Sequence, residues 1–124
     1  MKETIQTYEV IPTDKFNDDI KFYIKKKKFT KIVKDINPLL KEIQVGIFSG
    51  DEITNLRLKD KTYKVRSANS NTNEGKSNGY RLIYYVEDEN NIVFLITIYH
   101  KKDDNRIPTK EEMIELIKRY CIDN

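Results

Sequence analysis

The chain has 124 residues, 38% hydrophobic and 35% charged, enough for one modest core and short for two domains of ordinary size. One cysteine and one histidine exclude an intramolecular disulfide and a structural zinc site of thiolates and imidazoles, and leave Cys121 as a tolerated thiol. No apolar run approaches the roughly 20 residues of a membrane-spanning helix, and Met1-Lys2-Glu3-Thr4 lacks the apolar stretch of a signal peptide. The expectation is a single cytoplasmic domain over 1–124, without membrane association.

Taken in chain order, Tyr8-Glu9-Val10-Ile11 before Pro12 reads as a short strand, with Thr13 or Asp14 capping a helix. Phe16, Ile20, Tyr23 and Ile24 lay one apolar stripe on that helix, which runs to Lys25-Lys26-Lys27-Lys28. Four lysines at a helix end read first as solvated charge favoured by the C-terminal dipole. Ile32, Ile36, Leu39, Leu40, Ile43 and Ile47 continue at helical spacing, and Pro38 either opens a fresh helix capped by Asn37 or bends a single one. Gly46 and Ser49-Gly50-Asp51 end this helical pair, which can cover one face of a sheet.

The remainder reads as antiparallel β: Leu56 to Ser67, Tyr80 to Glu87, and Ile92 to Tyr99, with a turn at 87–91. Val93-Phe94-Leu95-Ile96 is apolar on both faces and marks an interior strand. The polar segment 69–79 is too long for a tight hairpin and reads as a mobile loop beside the basic strands. Thr109 and Glu112 form a capping box ahead of a final amphipathic helix carrying Met113, Ile114, Leu116, Ile117 and Tyr120.

Charge is concentrated. Between Lys59 and Arg81 six cations (Lys59, Lys61, Lys64, Arg66, Lys76, Arg81) face two anions (Asp60, Glu74), a patch that attracts a phosphate backbone. Period two puts Lys64 and Arg66 on one side of their strand, and Arg81, Ile83 and Tyr85 on one side of the next. Tyr99 and Lys101 share a side, with His100 opposite if the strand stays regular. Guanidinium and ammonium groups converging on a sheet face can hold a scissile phosphate and stabilise its transition state. RNA supplies its own 2′-hydroxyl nucleophile, so cleavage needs a proton acceptor, a cationic cradle and a proton donor, and no metal. His100, Tyr99 or a lysine of lowered pKa are the candidates for proton transfer. Tyr80, Tyr84 and Tyr85 read as packing residues.

The element order, with Tyr63-Lys64-Val65-Arg66, Gly75-Lys76-Ser77-Asn78-Gly79-Tyr80-Arg81, Ile83-Tyr84-Tyr85 and Leu95-Ile96-Thr97-Ile98-Tyr99-His100-Lys101, resembles the RelE/ParE superfamily of toxins over nearly the whole chain, closest to its HigB and RelE-like branch. The resemblance implies an α+β fold: a twisted, mainly antiparallel sheet with the helical pair on one face, basic residues on the other, and a C-terminal helix. It also implies a type II toxin that cleaves mRNA on the ribosome, without cofactor, and is held by a cognate antitoxin. Carried over singly, Lys64 and Arg66 match a basic pair, Arg81 a phosphate-stabilising arginine, Lys76 the lysine of the Gly-Lys-Ser segment, and Lys101 a basic strand-end position. Ile107 stands where some members carry a tyrosine, which directs attention to Tyr99 and His100. The expected catalytic set is Arg66, Arg81, Lys101, Tyr99 and His100, with Lys64, Lys76 and Lys102 on RNA backbone. The competing expectations are a gyrase-inhibiting toxin of the ParE type and a non-catalytic basic binding module.

Overall fold

The protein is described here by a computed structural model covering residues 6–122; the reading made of Met1 to Thr4 lies outside them. Among the described residues no helix is long and apolar enough to cross a membrane. Five strands form one sheet: β1 (Glu9–Pro12), β2 (Asp51–Glu52), β3 (Lys61–Ser67), β4 (Tyr80–Glu87) and β5 (Ile92–His100), in spatial order β1-β5-β4-β3-β2. Only the β1–β5 pairing is parallel. Three helices, α1 (Asp14–Lys25), α2 (Ile32–Gln44) and α3 (Lys110–Tyr120), complete the expected α+β arrangement.

Each helix follows from local chemistry. Thr13 caps α1, its side-chain oxygen accepting from the Phe16 N–H while its hydroxyl donates to the Leu95 carbonyl. α2 passes through Pro38 without a break, which decides between the two readings of that proline. The Thr109/Glu112 capping box at α3 is present with both reciprocal bonds. α1 and α2 cover one sheet face, burying Phe16, Tyr23, Ile32, Ile36 and Ile43 against Tyr80, Leu82, Tyr84, Leu95 and Ile98. On the other face α3 and the segment 53–58 pack Ile117 and Leu56 against Ile83, Tyr85, Ile96 and Tyr99.

Two expectations change and one short strand is added. Leu56 to Ser67 is not one strand: ladder pairing starts at Lys61, and residues 53–58 cross the sheet face instead, because Leu56 gains more from burial there than from an edge position. The two-residue β2 is too short to leave a periodic signal. The segment 69–79 is tied down over its first half, where Asn69 and Glu74 bridge, Ser70 N–H donates to Asp35, and Lys31 N–H donates to Asn71.

One irregularity sets the faces of β5. Ile83 pairs with Thr97 and Tyr84 with Leu95, so β5 holds one extra residue, a β-bulge at Ile96-Thr97. An unbroken ladder continuing from Tyr84–Leu95 would set Tyr99 against Tyr80. The bulge instead sets Tyr99 against Arg81 and His100 against Tyr80. Asp19 of α1 clasps the bulge: it is fully buried, accepts from the Thr97 hydroxyl and from the Ile98 N–H at 3.1 Å, and is ion-paired with Lys15 and Arg106.

Candidate functional site

Arg66, Arg81 and Tyr99 are successive register partners across β3, β4 and β5, and so form one row on the α3 face. Lys64, two residues before Arg66, lies on the same face, and both are exposed. Arg81 is 7% exposed. Its guanidinium donates from Nη1 to the carbonyls of Lys76 (3.1 Å) and Tyr80 (3.2 Å) and from Nη2 to that of Ser77 (2.9 Å). A guanidinium has five N–H donors, so the Nε–H and one Nη2–H remain, without protein partners among the described residues. Those two donors suit a bidentate contact with a phosphate or carboxylate.

No carboxylate pairs with Arg66 or Arg81 among the described residues. Burial, and after it the Arg66 charge, hold the Arg81 pKa below its ordinary value, while Tyr99 acts the other way. Like charges directly opposite on a sheet are destabilising, and here the repulsion is left uncompensated. Tyr99 is 5% exposed, its hydroxyl has no hydrogen-bond partner among the described residues, and burial raises its pKa against the opposing pull of Arg81.

The other expected site residues divide. Lys64, Arg66 and Lys76 line one cleft beside the short β2–β3 pairing, together with Glu42 and with Asp51, the ladder partner of Lys64. Lys101 is exposed just beyond β5, its N–H bonded to the Gly79 carbonyl at 2.9 Å, which keeps its backbone next to the start of β4. Lys102 is drawn into an ion pair with Glu74. His100 lies on the α1/α2 face, 6% exposed, edge-on to Phe29 and tilted on Tyr80, with Nε2 2.7 Å from Glu74 Oε1 and its N–H donating to the Tyr23 hydroxyl. The sheet therefore separates His100 from the arginine row. The two glycines of the Gly-Lys-Ser segment also differ. A Cβ on Gly79 would sit 2.1 Å from the Ser67 carbonyl oxygen, whereas one on Gly75 meets nothing within 4 Å. Close packing, not a phosphate cradle, accounts for Gly79.

Sequence reasoning passed over Asp19 and Glu74. Asp19 left a signal, a carboxylate three residues after Phe16 and four before Tyr23 on the apolar side of α1. Glu74 left none, because its partners Thr72, His100 and Lys102 come together only in the folded chain.

No protein-family model matches the chain, and no curated protein matches it. Among solved structures it is similar to the crystal structure of the toxin–antitoxin complex RelBE2 from Mycobacterium tuberculosis, at 18% identity and a TM-score of 0.42, over 82% of this chain and all of that one. A likeness of this size carries no argument about activity, which rests on the residues themselves.

Proposed function

We propose that the chain is a RelE-like toxin of a toxin–antitoxin pair, of the HigB/RelE-like branch, acting in the cytoplasm as a ribosome-dependent mRNA endoribonuclease, and that the Arg66–Arg81–Tyr99 row holds the scissile phosphate. The observation that carries this reading is the pair of guanidiniums in ladder register, one of them buried, with no carboxylate ion-paired to either among the described residues. A phosphodiester supplies the missing charge, and its non-bridging oxygens match the Nε–H and Nη2–H left on Arg81. In cleavage the 2′-hydroxyl gives its proton to solvent water as its oxygen bonds to phosphorus, the bond to the 5′-oxygen breaks, and a 2′,3′-cyclic phosphate forms as the leaving oxygen takes up a proton. Tyr99, kept protonated by burial, is the donor in the row, while Lys64, Lys76 and Lys101 hold flanking backbone. An acidic antitoxin segment covering the same cations would keep the toxin silent.

The test is translation of a defined mRNA in a cell-free system with the purified protein, mapping new 5′ ends. Cuts at ribosome-occupied codons are expected, and Arg66→Ala should slow them about 10²–10³-fold, the cost of losing one transition-state charge contact. Arg66 is the better probe, because Arg81→Ala also orphans the carbonyls of Lys76 and Ser77. Intact message, or an Arg66→Ala variant that cuts like the parent, refutes the assignment. One observation favours a second reading: no carboxylate or imidazole stands in the row to accept the 2′-hydroxyl proton. A non-catalytic module that only grips RNA or an acidic partner would have this property, and it predicts protection of message without cuts.

A further inference from the structure

The segment 69–79 is held at both ends, and Arg81 is one of its anchors. Its far half supplies the carbonyls of Lys76 and Ser77 that fix two corners of the Arg81 guanidinium. Its near half turns on Asn69, which is fully buried and bridges to Glu74 through Asn69 N–H to Glu74 O (2.9 Å) and Glu74 N–H to Asn69 O (3.0 Å). The Glu74 carboxylate reaches back to the sheet. Oε1 lies 2.7 Å from His100 Nε2 and accepts from the Thr72 hydroxyl at 2.6 Å, and Oε2 pairs with the Lys102 ammonium. His100 is itself anchored, its backbone N–H donating to the Tyr23 hydroxyl and its ring packed against Phe29 and Tyr80.

We infer that Glu74 and His100 are positioning residues: their contact latches the segment 69–79 to the end of β5, so that the Lys76 and Ser77 carbonyls hold the Arg81 guanidinium with its free edge toward the bound anion. The inference deepens the reading of the arginine row as an anion site and rests on it. Four links separate His100 from the anion, through Glu74, the bridged segment, two carbonyls and Arg81. His100 thereby acts on the site from the opposite face of the sheet. Between Glu74 and the carbonyl contacts only Gly75 intervenes, and it touches nothing with its Cβ position, so a freed Glu74 gives the Lys76 and Ser77 carbonyls room to swing away.

Two readouts test it without using cleavage. The first is trypsin cutting after Lys76, identified by fragment mass. The second is the affinity for a fluorescent RNA oligonucleotide carrying 2′-deoxy sugars, which cannot be cut by 2′-hydroxyl attack. Glu74→Ala should raise cutting after Lys76 at least tenfold and weaken the oligonucleotide about tenfold. Glu74→Gln, which retains hydrogen bonds to Thr72 and His100, should return both to within about threefold of the parent. His100→Ala should follow Glu74→Ala, and thermal melting identifies any variant that has lost its fold. Cutting at the parental rate in Glu74→Ala overturns the latch. Faster cutting with unchanged affinity overturns its role in holding Arg81. If the parent itself fails to bind the oligonucleotide, the anion-site reading falls, and the latch is judged on the trypsin result alone.

Discussion

Replacing Asp19 by Ala attacks the device that sets the phase of β5. Asp19 is fully buried and has four partners: the Lys15 ammonium, Arg106 Nη2 at 2.8 Å, the Thr97 hydroxyl and the Ile98 N–H. Truncation orphans the Ile98 N–H and removes the acceptor of the Thr97 O–H, whose oxygen keeps only the Lys15 ammonium at 3.2 Å, and each unsatisfied donor costs about 1–3 kcal/mol. Arg106 keeps its stack on Phe22, 3.8 Å from the ring centre, and Lys15 keeps access to water, so neither becomes a fully buried lone charge. The expected loss is about 3–4 kcal/mol, the lower part of the range for breaking a buried ion pair. With an unfolding entropy of about 0.26 kcal/mol/K for a chain of this length, the melting temperature should fall by about 10–15 °C. Urea titration followed by circular dichroism gives the free energy, and amide exchange at Ile98 should speed beyond the global change. Asp19→Asn, which still accepts from Ile98, should lose about half as much. A loss below about 1 kcal/mol for Asp19→Ala would mean that the ladder holds its bulge without α1.

Gly79→Ala forces backbone apart at Ser67 and Asn69 and should cost about 1–3 kcal/mol, whereas Gly75→Ala, with open space at its Cβ, should stay within about 0.5 kcal/mol; the reverse order in urea unfolding would contradict the packing. Burial raises the pKa of Tyr23, Tyr80 and Tyr84, and that of Tyr85 to about 12. Their folded values exceed the unfolded one, so the stability they contribute is complete below about pH 10 and is lost as pH rises above it, at up to about 1.4 kcal/mol per pH unit for each tyrosine. Absorbance at 295 nm should therefore show these phenols ionising together with loss of the circular dichroism signal, and independent ionisation near pH 10 in a native fold would refute their burial. The Cys121 thiol is pushed up to about 12 by burial and should react with a disulfide reagent at pH 8 at least 100-fold more slowly than in urea.

Where one local rule governed, the residues were readable. The run Tyr80 to Glu87 became β4 to the residue, and the capping box and the stripe carrying Phe16 and Tyr23 appear as expected. The row of Arg66, Arg81 and Tyr99 was readable only in parts. Alternation gave the parity within each strand, but which of Tyr99 and His100 meets Arg81 depends on register, and register turned on a bulge gripped by a carboxylate about 80 residues earlier in the chain. The polarity of 69–79 suggested mobility because composition does not reveal where Glu74 will find a histidine and a lysine. Likewise the crossing at 53–58 goes with tertiary burial of Leu56, which no period in the sequence encodes, and β2 is only two residues long.

The β5 bulge and the carbonyls of Lys76 and Ser77 together set the arginine row, and its charge bears on what it is for. Ladder partners place their Cβ atoms about 5 Å apart, and guanidiniums that came as close as their Cβ atoms would repel by order 1–3 kcal/mol for effective dielectric constants of about 80 to 20. Arg66 is exposed and can reduce this by swinging toward solvent. Arg81 cannot, because three carbonyl contacts fix it. A sheet selected for stability alone would remove one of the two cations at no cost to its core, since Arg66 lies outside both hydrophobic clusters. Retaining the pair makes sense when an anion bridges them: repulsion in the free protein becomes attraction in the complex, and the apparent stability should rise with polyanion concentration as mass action requires. The same logic gives a salt signature. An oligonucleotide bound through Arg66, Arg81 and the neighbouring lysines should weaken with salt with a slope of about 0.7 per single-strand phosphate neutralised, and Arg66→Ala should lower that slope by about one such step.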